Sequence, residues 1–159
     1  MMRAGNRGGV RHKGDKRDRF GGVRLLGLRA PLAEGAQTTI GVKNHFALKA
    51  LEEGTASGGH MARLAHALNM SLVLCELNIG PQYLTRVQAA QSALVACAER
   101  SRTAGYWHVH GAEREAIRSG FEIHDAQLAR ASLTEIAAAE DEIHRRAVRG
   151  DVIAAPSVS

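Results

Sequence analysis

The residues best suited to chemistry lie in one stretch and one later segment: His108, His110 and Glu113 in YWHVHGAE, and His124 in FEIHDAQL. An HxH pair puts two imidazoles on one side of an extended segment, and a following glutamate with a distant histidine could complete a tetrahedral zinc site. That spacing is not diagnostic, however, and His124 falls in an apolar helical stripe, where a hydrogen-bonded core histidine is the commoner explanation. His124 and Asp125 cannot act as a catalytic pair, because adjacent helical positions point roughly 100° apart. His124 and Gln127 form instead a candidate buried polar pair, fixing helix register by the hydrogen bonds that any other arrangement would lose. The reading is therefore a non-enzyme with no cofactor, and a metal-dependent enzyme built on the His/Glu set is a distant alternative.

Other polar clusters have ordinary explanations. Glu140, Asp141 and Glu142 precede Arg145 and Arg146 by about one helical turn, the spacing of solvated ion pairs. Cys75 and Cys97 each sit among apolar residues of an expected helix. In an antiparallel hairpin turning near Gly80 they stand about 15 to 20 Å apart along the axis, which excludes a disulfide and leaves two buried thiols. The same hairpin invites comparison with a helix-turn-helix reader, but its second helix offers Gln82, Thr85, Arg86, Gln88 and Gln91, with one basic residue before Arg100.

The elements that must position these groups are helical. KNHFALKALEE, from Lys43, has Phe46, Ala47, Ala50 and Leu51 at helical spacing and reads as a short leading helix of about ten residues, too short to stand alone. The linker GTASGG supplies a hinge, with Ser57 as a cap. A central helix over about Gly59 to Asn78 is apolar on most sides, so other elements must cover it. His60, Arg63, His66 and Asn69 form its polar edge, and His60, Arg63 and His66 are the candidate partner surface. Asn78-Ile79-Gly80-Pro81 ends that helix and starts the next, from Pro81 to about Arg102, with Tyr83, Val87, Ala90, Leu94 and Cys97 along one seam. TAGYWHVHG is a short extended segment or structured loop. A third helix, about Gly111 to Ala131, turns Ile117, Phe121, His124, Leu128 and Ala131 to one face. Ser132 and Glu135 have the form of a capping box, and the last helix, Leu133 to about Arg149, carries Ile136, Ala139 and Ile143 inward until Gly150. The fold class is all-α: an antiparallel bundle of about four helices with a short leading helix.

The formal charge of +5 divides unevenly. Residues 1–42 hold nine Lys or Arg and three acids, for +6; residues 43–159 hold twelve and thirteen, for −1. The first segment is Gly/Arg-rich and without helical or strand period, so it is expected to be a disordered basic arm, with 43–150 the bundle and 151–159 a flexible tail. Such an arm would touch phosphates without reading bases. An overextended gene start is the alternative, since Gly, Arg and Ala dominate what GC-rich codons encode. No apolar run approaches the roughly 18 residues that cross a bilayer, and the start lacks a signal-like apolar centre, which leaves no membrane role and a cytoplasmic location as expectations.

The runs LAHALNMSLVLCELNIG, AAQSALVACAERSRTAGYW and IHDAQLARAS resemble small uncharacterised all-helical proteins of bacterial prophages and plasmids, over about residues 45–148. The resemblance implies a mobile-element accessory protein in the bacterial cytoplasm; it implies no reaction and carries over no site residue. Together the observations point to a non-catalytic helical interaction protein whose partner is another protein or a second copy in a homodimer. A nucleic-acid-binding regulator using residues 1–42 is the alternative.

Overall fold

The computed structural model describes residues 30–153, within which every regular element is helical. Five α-helices follow in order: α1 Glu34–Glu52, α2 Gly58–Glu76, α3 Leu84–Ala104, α4 Gly111–Arg130 and α5 Leu133–Arg149. A single 3-10 turn, Pro81–Tyr83, precedes α3.

Side-chain pairings give the directions. His45 on Asp125 and Glu52 on Arg118 run α1 antiparallel to α4. Arg86 on Ser119 and Arg100 on Glu113 do the same for α3 and α4. Phe46 against His60 brings α2 back along α1. These four helices pack as a ring, and α2 also crosses to α4. The fifth helix lies outside the ring on α2, and His66–Glu140 with Glu76–Arg146 makes the two parallel. Thus α2 packs against all four other helices, and its apolar girth is the physical reason.

Much of the core follows the expected spacings. Val87, Ala90, Leu94 and Cys97 of α3, Ile117, Phe121 and Leu128 of α4, and Ala139 and Ile143 of α5 are all buried. The expected stops also form. Ser57 and His60 cap α2 reciprocally, as do Ser132 and Glu135 for α5. Gly150 takes the left-handed conformation after α5 at φ 76°. At the α2–α3 hairpin two residues turn left-handed, Asn78 at φ 69° and Gly80 at φ 75°, so that Pro81 opens the 3-10 turn and the α-helix proper begins three residues later.

Three expectations need correction. The leading helix has 19 residues and starts at Glu34, so residues 34–42 belong to the helical body and not to the arm. Its first turns contain Gly35, Thr38, Thr39, Ile40 and Gly41, poor helix formers in isolation. Packing of α1 on α4 and an antiparallel bridge between Pro31 and Ser132 supply what propensity lacks. Residues 1–29, the remainder of the expected arm, lie outside the described residues.

The second correction concerns Phe46, expected inward, which is 65% exposed. The buried residues of α1 are Asn44, Ala47, Leu48, Ala50 and Leu51, and their arc is centred well round the helix from Phe46. The third concerns the tail. Residues 151–153 fold back: Asn69 Nδ2 donates to Ile153 O at 3.1 Å, and Asn69 Oδ1 accepts from Ile153 N at 3.3 Å and from Gln91 Nε2 at 3.1 Å. Asn69, expected on the polar edge, is thereby buried with its bonds made. Residues 154–159 lie outside the described residues.

Candidate interaction surface

The His/Glu set with zinc-like spacing is taken up by the α3–α4 connection. Glu113 pairs bidentately with Arg100 and accepts from the backbone N–H of His110, closing the first turn of α4. Arg100 also donates to His108 O, and Cys97 Sγ donates to that same carbonyl at 2.9 Å. The Arg100 guanidinium holds the Glu113 carboxyl below its usual range, against the opposing effect of burial. His108 and His110 stack edge-on at 5.5 Å. His124 lies eleven residues beyond Glu113, about three turns along α4, so the helix keeps it away from the other three. Among the described residues no group of three or more His, Cys, Asp or Glu is placed to hold a metal ion.

His124 and Gln127 are both buried, yet they make no hydrogen bond to each other. Gln127 is a junction between α4, α2 and the hairpin. Its oxygen accepts from Ser71 Oγ at 2.6 Å, and its nitrogen faces Ser71 O at 3.1 Å, Ile79 O at 2.8 Å and Cys75 Sγ at 3.2 Å. Burial pushes the Cys75 thiol up, with the Gln127 amide acting against it. Both cysteines are free and buried, in separate apolar clusters.

His124 Nδ1 lies 3.9 Å from Asp125 Oδ1, beyond hydrogen-bond length. Asp125 meets His45 Nε2 at 2.7 Å instead, a contact that the sequence reading missed because the two residues are 80 positions apart. Burial acts to raise the Asp125 carboxyl, but the imidazoles of His124 and His45 outweigh it and leave the group below its usual range. A cleft of about 380 Å³ that includes His45, Lys49, Glu52 and Arg118 opens on one side of this pair. A second, of about 290 Å³ and including Thr38, Gly41 and Asp125, opens on the other. The dyad can orient an imidazole, but side chains around it are already engaged: Glu52 takes Arg118 at 2.6 Å and Thr38 Oγ1 donates to the main-chain carbonyl of Glu34. It reads as a strut between α1 and α4.

The open face lies on α1 and the start of α2. Val42 and Phe46, one turn apart, are 63% and 65% exposed. The Phe46 ring rests edge-on against His60, with centroids 5.7 Å apart. Lys43, next to Val42 in the chain, and Arg63, three residues on from His60 in α2, are exposed and have no ion-pair or hydrogen-bond partner among the described residues. Of the three residues expected to form a partner surface, His60 and Arg63 belong to this face. His66 does not: it turns to α5 and meets Glu140 Oε1 at 2.9 Å. Sequence spacing alone places Val42 in the arm and Phe46 in the core, so neither stands out as surface. Their separation of four, opposite Leu48 and Leu51, was the signal that could have found them.

The helix-turn-helix comparison gains no basic reading surface. Arg86 is engaged with Ser119 and lies over the Tyr83 ring, while Gln91 is engaged with Asn69. No helix of the described residues is long and apolar enough to cross a membrane. Comparison with known proteins finds no matching family model, no matching curated protein and no matching solved structure, so the reading of this surface rests on its own geometry.

Proposed function

We propose that this chain is a non-catalytic helical interaction protein, an accessory of a bacterial mobile element working in the cytoplasm, and that it acts through the α1–α2 face. The observation that carries the reading is the pair of large apolar side chains, Val42 and Phe46, left open near two cations, Lys43 and Arg63, that have no partner among the described residues. Contiguous apolar surface of this kind, bordered by polar groups, marks contact sites more often than scattered single residues do. The mobile-element part of the reading rests on the sequence resemblance alone.

The test is positional crosslinking in host cells. A photoreactive benzoylphenylalanine at position 46 is expected to yield a discrete protein adduct that is diminished by Arg63→Glu. The same group at the exposed Gln88 of α3 is expected to yield none. Identical products from both positions, or none from position 46, would overturn the reading.

A second reading, nucleic-acid binding through the N-terminal segment, is favoured by one observation. All nine Lys and Arg of residues 1–42 precede Ala30, so residues 1–29 carry nine cations against two acids. Sequence-independent, salt-sensitive binding to duplex DNA is then expected of the full chain and lost from a chain beginning at Ala30. Equal binding by the two, or none by the full chain, sinks this reading.

A further inference from the structure

The open face of α1 has a period. Thr39, Val42, Phe46 and Lys49 are all exposed and follow one another at spacings of three, four and three, which is the stripe a second helix packs against. Three occupants are conceivable, and charge separates them.

The chain's own residues 1–29 are strongly basic, with nine cations and two acids, and meet Lys43 and Arg63 with like charge. A second copy fares no better. Two α1 helices packed antiparallel on Val42 and Phe46 put the two-fold axis between those residues, so Lys43 meets its own counterpart. In the parallel arrangement Lys49 faces Lys49. Like charges juxtaposed at an interface oppose association. An acidic helix has the opposite relation to all of these groups. Lys49 is only loosely engaged, at 3.7 Å from Glu53, and Lys43 and Arg63 have no described partner to give up.

We infer that the α1–α2 face docks an amphipathic helix from a partner protein, with apolar residues at alternating spacings of three and four on Val42 and Phe46 and carboxylates flanking them towards Lys43, Lys49 and Arg63. The mode is a helix laid along a helical face, with apolar anchors giving affinity and the charged rim giving orientation and encounter rate. This inference rests on the proposed role of the face as a partner surface.

The probes are synthetic peptides of about 20 residues, long enough to be helical, titrated into the full chain by fluorescence anisotropy. One carries a leucine stripe flanked by glutamates, one the same stripe flanked by lysines, and one the glutamates with alanine in the stripe. The glutamate–leucine peptide is expected to bind, and Phe46→Ala, Lys43→Glu or Arg63→Glu each to weaken it about tenfold or more. The other two peptides are expected to bind about tenfold more weakly. These residues are exposed, so unchanged circular dichroism is expected to show each variant folded.

Lysine–leucine binding as tight as the acidic peptide's, or acidic binding indifferent to Phe46→Ala, overturns the inference. So does a dimer in light scattering that Phe46→Ala abolishes, which assigns the face to a second copy. A specific adduct at position 46 with no acidic-peptide binding overturns the partner class and leaves the surface standing. Absence of both overturns both.

Discussion

Gln127→Leu is expected to destabilise the protein by about 3 kcal/mol, lowering the thermal midpoint on the order of 10 °C. The substitution nearly conserves volume, so the loss comes from hydrogen bonding and not from a cavity. The buried Ser71 Oγ–H and the partly buried Ile79 carbonyl would be left facing a hydrocarbon. Each orphaned buried group costs about 1–3 kcal/mol, whereas an exposed one would cost almost nothing. Ser71→Ala removes the hydroxyl in need of a partner, so the double variant should cost about 1 kcal/mol less than the sum of the single ones. Urea titrations of the four proteins measure this. A Gln127→Leu variant as stable as the parent would show that Gln127 does not tie α4 to α2.

Gly120→Ala is the second large effect, and its sign is the informative part. In an isolated helix alanine at such a position gains about 1 kcal/mol over glycine. Here an added Cβ would stand 2.6 Å from Ala90 Cβ and 2.8 Å from Leu68 Cδ2. The leucine tip can swing, but Ala90 Cβ moves only with the backbone of α3, so the α3–α4 contact must open. Overpacking of this kind costs about 1–3 kcal/mol and outweighs the propensity gain. The expected net loss is about 1 kcal/mol for alanine and about 3 kcal/mol for Gly120→Val. Denaturant midpoints measure both; an alanine variant more stable than the parent would show that the apposition of α2, α3 and α4 at Gly120 does not oppose a Cβ.

Gly120 also illustrates what the chain discloses of its own structure. Periodicity was sufficient for α2, for the α3 stripe through Val87, Ala90, Leu94 and Cys97, and for the inward face of α4, because burial there is repeated every three or four residues. Local stops were equally legible, since Ser132–Glu135 and Gly150 act on backbone groups within a turn of themselves. The start of α1 was not. Thr38, Thr39 and Gly41 make a weak helix, and the contacts that sustain it come from α4 and Ser132, some ninety residues on. Phe46 and Asn69 exchanged their expected places for related reasons. The arc that α1 buries is set by where α4 lies, and a buried carboxamide is acceptable only because the main chain of Ile153 returns to satisfy it. The candidate surface was half legible: His60 and Arg63 stood out as polar groups on an apolar helix, whereas Val42 and Phe46 needed the bundle to show which side of α1 is left open.

The clasp on Ile153 has a bearing on the order of assembly. The helices α1 to α4 meet their sequence neighbours around the ring, so each hairpin can form soon after its second helix does. The outer helix α5 is held at both margins by distant chain: Leu133 N donates to Ala30 O, and Asn69 holds Ile153 across 84 residues. Closing loops of that length carries an entropy cost that the shorter connections avoid. Residues 151–153 thus return over α2 and α3 and tie the end of α5 to the ring through Asn69, a residue 84 positions away.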